Sequence, residues 1–60
     1  MKIVYRVMRN QWFDDKPDLT EGIETFDDPV AGLTESHRLN ATVIEGENVQ
    51  YNVQAIDYWK

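Results

Sequence analysis

The residues best equipped for chemistry in this chain are carboxylates. Between Asp14 and Asp28 there are seven of them (Asp14, Asp15, Asp18, Glu21, Glu24, Asp27, Asp28) against one base, Lys16. Adjacent carboxylates such as Asp14-Asp15 or Asp27-Asp28 can divide general-acid and general-base roles, or ligate magnesium or calcium. Acid–base work needs a cleft that drives two pKa values apart, and 60 residues leave little room for one. A calcium loop alternates its ligands around a central glycine, which the spacing Asp14, Asp15, Asp18, Glu21 does not do. The chemistry left to this block is electrostatic. Like charges this dense must stay hydrated, so the segment is a solvated loop or a surface offered to something basic. Carboxylates spaced along a rigid strand can also imitate a phosphate backbone.

The other reactive types combine less well. Ser36 and His37 are neighbours on a predicted helix, so their side chains diverge by about 100° and form no nucleophile–base pair. His37 is read as packing or hydrogen-bonding at the rim of the helix's apolar face. Trp12-Phe13 directly precedes the acidic block and Tyr58-Trp59 closes the chain. Aromatics beside charge serve either as binding anchors with a polar rim or as caps on the ends of a small core.

Composition removes several classes. There is no cysteine, hence no disulfide, zinc-thiolate site, iron–sulfur cluster or thiol nucleophile, and the single histidine makes a nitrogen-rich metal site a poor prospect. Phosphate-cradling glycine patterns are absent, since Gly22, Gly32 and Gly46 are scattered. The net charge of -5 opposes direct nucleic-acid binding. The longest apolar run, Ile3-Val4-Tyr5, neither spans a membrane nor resembles a secretory signal, so a cytoplasmic location is expected. One small domain over residues 1–60 is expected. A chain of that length buries only about 60% of its unfolded surface, which makes a partner or a second subunit a natural support.

Four elements must position these groups. Lys2 to Arg9 predicts a strand apolar on both alternating sets, suited to mid-sheet. Glu21 to Phe26 predicts a short acidic edge strand, with either Ile23 and Thr25 or, on the opposite face, Glu24 and Phe26 as its inward set. Asp28-Pro29 is an N-cap followed by proline at the first helical position, so a helix runs to about Leu39, with Asn40 as a left-handed terminal residue. Helical periodicity puts Val30, Leu33, Thr34 and His37 on its buried face. Gly32 costs this helix about 1 kcal/mol relative to alanine. After a turn at Glu45 to Asn48, Val49, Tyr51, Val53 and Ala55 alternate with Gln50, Asn52 and Gln54 as a third strand whose phase blurs at Ile56. The reading is α+β: a ββαβ, three-stranded antiparallel sheet in order 2-1-3, one helix covering one face. The uncovered face would carry residues drawn from Val4, Met8, Phe26, Ile56 and Tyr58, and a twin or partner could dock there.

The run Thr25-Phe26-Asp27-Asp28-Pro29-Val30-Ala31 through Leu39-Asn40, then Tyr51-Asn52-Val53, resembles a widespread class of small phage and bacterial proteins of strand-strand-helix-strand pattern. The outline is also similar to the small phage-encoded inhibitor of bacterial RNA polymerase. The resemblance spans Ile3 to Val53 and implies a phage or mobile-element origin and a binding role, with no contact residue carried over.

The function expected is a non-catalytic acidic protein-interaction module that inhibits or redirects a host nucleic-acid-handling protein (a polymerase, nuclease or CRISPR effector) through a basic surface on that partner. The binding residues expected are Trp12, Asp14, Asp15, Asp18, Glu21 and Glu24, with no cofactor and no metal. The alternative is a small homodimer serving in assembly.

Overall fold

Isoleucine, valine and tyrosine dominate the first ten residues, and their branched or flat side chains pack well on a pleated surface. The computed structural model describes residues 2–58 and places a strand, β1, at Lys2–Gln11. β2 follows at Leu19–Phe26, α1 at Pro29–Asn40 and β3 at Val49–Tyr58. The sheet order is β2-β1-β3 with both pairings antiparallel. This is the expected ββαβ arrangement, with the strand apolar on both faces at its centre. Trp59 and the Tyr58 side chain, read from sequence as caps or anchors, lie outside the described residues.

The core is thin because the sheet has a helix on one face only. Val7, fully buried, opposes Val53 on the helix-covered face, and Val4 at 7% exposure opposes Ile56 on the other. Met8 also lies on that open face, as expected. The Cα radius of gyration is 12.8 Å, against about 10 Å for a compact domain of this length. The excess follows from the long flat sheet, whose extents are 40 × 24 × 11 Å.

The helix starts as its sequence dictates: the Asp28 side chain accepts a hydrogen bond from the Val30 N–H (3.2 Å), and Pro29 needs no donor partner. Its packing corrects the sequence reading. The face against the sheet is built on Gly32 and Ser36, both buried, whereas Val30, Leu33, Thr34 and His37 are exposed. Small residues one turn apart let the helix backbone approach the sheet closely. A Cβ at Gly32 would stand 3.5 Å from both Tyr5 Cβ and Val53 Cγ1. The Ser36 hydroxyl donates to the Leu33 carbonyl at 2.8 Å, which satisfies it within the helix. Hydrophobic periodicity misses this arrangement because glycine and serine carry no apolar signal.

Two further departures are local. Among the described residues no non-glycine has a positive φ, so Asn40 is not left-handed; the chain leaves the helix through Ala41 at φ −69°. Asn40 instead spends its side chain on β3, donating to the Tyr51 carbonyl (2.9 Å) and accepting from the Tyr51 N–H (2.8 Å). In β2 the register slips so that Val7 opposes Glu24 and Met8 opposes Gly22, leaving Ile23 as an extra, bulged residue. The inner face of β2 is therefore the Glu24 and Phe26 side: Phe26 pairs with Tyr5 and lies within 3.8 Å of the Gly32 Cβ position. It does not belong to the open face. β3 carries no bulge; its pairing with β1 runs unbroken past Ile56, which sits opposite Val4. The preceding turn closes as expected, with Gly46 supplying φ 97° and the Glu47 N–H donating to the Ile44 carbonyl.

Candidate functional site

The acidic segment begins where β1 ends. The Trp12 N–H donates to the Asn48 carbonyl (3.1 Å), which fixes the backbone, and Trp12 is 41% exposed. Phe13 is half-buried, and Lys16 folds back so that its ammonium lies 4.4 Å from the ring centroid. The loop's one base is thus engaged by an aromatic face. Asp14, Asp15 and Asp18 are exposed, and among the described residues no ion pair reaches them. Three uncompensated carboxylates beside an exposed tryptophan make up one end of the molecule.

Glu21 and Glu24 lie along β2 itself. The bulge at Ile23 brings both, three residues apart, to the helix-covered side: Glu21 opposite Arg9 and Glu24 opposite Val7. Glu21 pairs with Arg9 at 3.5 Å. Glu24 lines a shallow concavity of about 430 Å³ between β2 and α1, floored by Phe26 and Ala31 and rimmed by Glu24, Asp28 and Glu35. The predicted set is therefore divided between two adjoining places. Trp12, Asp14, Asp15 and Asp18 are at the β1–β2 connection, and Glu21 and Glu24 are on the edge strand that follows.

Glu35 was not found by sequence reasoning, because its neighbour Glu24 is 11 residues away and only the docked helix joins them. Arg38 forks onto the Glu35 carboxylate, with Nη2 donating to Oε2 at 2.9 Å and Nε donating to Oε1. The hydrogen bond from Arg38 holds the Glu35 carboxyl below its ordinary range. Desolvation opposes this, and the Arg38 charge and a contact from Glu24 assist it. The same hydrogen bond and the Glu35 charge raise Arg38, with Glu24 adding a little.

The open face holds a second concavity, about 530 Å³, with Val4 and Ile56 at its floor and Lys2, Arg6, Asp27 and Asp57 around it. Lys2 and Asp27 are paired at 3.1 Å across it. Among the described residues no three His, Asp or Glu side chains converge as a metal-binding group. Ser36 Oγ is committed to a backbone carbonyl and His37 points to solvent, so His37 does not pack at an apolar rim as the sequence suggested. No helix among the described residues is long and apolar enough to cross a membrane. No family model, curated protein or solved structure matches the chain.

Proposed function

We propose that this chain is a non-catalytic acidic interaction module that binds a basic surface on a host protein. That partner is a nucleic-acid-handling protein (a polymerase, nuclease or CRISPR effector) which the module inhibits or redirects in the cytoplasm, in the manner of a phage or mobile-element product. The observation that carries this reading is the cluster of Asp14, Asp15 and Asp18, exposed and free of ion pairs among the described residues, beside the exposed Trp12. Glu21 and Glu24 continue the line of carboxylates along β2. A row of carboxylates on a strand edge presents charge in the way a phosphate backbone does and would compete for a nucleic-acid groove. Such electrostatics speed encounter and make binding salt-sensitive.

The test is charge reversal of Asp14, Asp15 and Asp18 to lysine in one chain. These side chains stand in solvent, so the fold should survive, and partner capture should disappear. Capture that persists unchanged would contradict the reading. Trp12→Ala should lower the salt concentration at which the partner is released, because the apolar anchor adds to the electrostatic contact.

A further inference from the structure

Arg6 stands apart from the other bases of this acid-rich chain. Arg9 meets Gln11 and Glu21, Arg38 forks onto Glu35, Lys2 pairs with Asp27, and Lys16 lies over Phe13. Among the described residues Arg6 takes part in no ion pair, although the chain has 11 acids to 6 bases.

Its side chain is placed by β2. A Cβ at Gly22 would collide with Arg6 Cδ and crowd Arg6 Cγ at 3.2 Å. Gly22 has no positive φ, so the backbone does not demand glycine there. The demand is for room, since the arginine stem crosses β2 over the missing side chain. The Ile23 bulge brings the two together: it sets Gly22 opposite Met8, on the open face with Arg6, whereas an unbroken register would set it opposite Arg9 on the helix side. A glycine inside a strand marks close approach, and bulges re-aim side chains beside functional sites. Arg6 lines the open-face concavity of about 530 Å³, whose floor is Val4 and Ile56. Thr25, directly opposite Arg6, adds a hydroxyl to its wall. That volume falls within the range of small-molecule sites.

We propose that this concavity binds a small apolar monocarboxylic acid, with its carboxylate on Arg6 and its hydrocarbon body over Val4 and Ile56. This goes beyond the binding role of the acidic loop and does not depend on it. Three features define the ligand. The guanidinium fork matches the two oxygens of a planar carboxylate. The apolar floor calls for an apolar body, whose burial supplies affinity. The rim limits the ligand to one negative charge, because Lys2 is already neutralised by Asp27 and Arg6 is the cation left among the described residues. A phosphate monoester, close to doubly charged at neutral pH, would meet Asp27 and Asp57 with one cation to hold it. Asp57 lies opposite Ile3, on the alternate set of side chains from Ile56, and so leaves the floor apolar.

The experiment titrates the full, isotope-labelled chain with phenylbutyrate and follows backbone amides and the Arg6 Nε–H by NMR. Saturable shifts should concentrate at Val4, Arg6, Thr25 and Ile56, with a dissociation constant on the order of 1 mM for a ligand of this size. Phenylbutanol has the same body without the charge, and acetate has the charge without the body. Each should bind roughly tenfold or more weakly. Arg6→Gln changes an exposed residue, so circular dichroism should be unchanged while phenylbutyrate binds about tenfold more weakly. Gly22→Ala should also weaken binding, because the new methyl displaces the arginine stem while the ordinary φ preserves the strand. Should that variant unfold, Arg6→Gln carries the test. Three results would overturn the proposal: no saturable shift at these residues well above the expected constant, equal affinity in a folded Arg6→Gln chain, or phenylbutanol binding as tightly as the acid. Shifts at the same residues that follow protein concentration instead of ligand would assign the face to a second copy and overturn it as well.

Discussion

The two edges of this sheet flank the same central strand and meet water in opposite ways. β2 is bulged at Ile23, carries Glu21 and Glu24, and follows directly on a loop with three exposed aspartates. β3 is straight over ten residues and uncharged until Asp57. On β2 the side chains dominate, and long-range charge rejects another acidic strand while attracting a basic surface. On β3 the backbone dominates, because its side chains carry no charge before Asp57. The contrast shows how the two edges of one small sheet can present different chemistry to water.

The largest effect expected from breaking this contrast comes from Asn40→Ala. It strips Tyr51 of its side-chain partners, and leaving half-buried peptide groups unsatisfied should cost about 1–3 kcal/mol in denaturant unfolding. Gly32→Ala touches neither edge. The added methyl meets Tyr5 and Val53 at ordinary contact distance, and the helix gains propensity, so stability should rise by up to about 1 kcal/mol. A drop would mean that the helix sits closer to the sheet than described. On β2, Glu21→Gln removes an exposed pair with Arg9 and should shift unfolding by less than about 0.5 kcal/mol.

The smallest effect is on pH. Glu35 has a lowered pKa in the folded chain, so its contribution is complete above the ordinary glutamate range and is lost as pH falls through the folded value. Glu35→Gln should therefore lower stability slightly at neutral pH and flatten the acid limb of the stability–pH curve, so that the two curves converge at low pH. A difference that grows as pH falls would point to a different ionisable group.

Much of the fold was legible because it rests on strong local signals. Apolar residues on both alternating sets of β1 set it mid-sheet, Asp28-Pro29 marked the helix start, and the alternation of Val49 to Ala55 marked β3. The helix face was not legible, since it is made by Gly32 and Ser36, whose small size is what matters, while Val30 and Leu33 supplied a misleading stripe. The Ile23 bulge was equally silent, and it decides that Phe26 faces the helix. Asn40 read as a helix terminator by type, but its side chain was needed more by Tyr51. Of the proposed binding residues, the loop aspartates were visible as a charge run. The Glu24–Glu35 neighbourhood was not, because it exists only once the helix has docked.

The most direct measurement is parallel capture from a bacterial lysate with two immobilised chains: wild type and the triple reversal of Asp14, Asp15 and Asp18. Wild type should retain a protein at low salt and release it at high salt, and the triple reversal should retain none of it. Retention by the triple reversal equal to that of wild type would contradict the assignment of binding to the acidic loop.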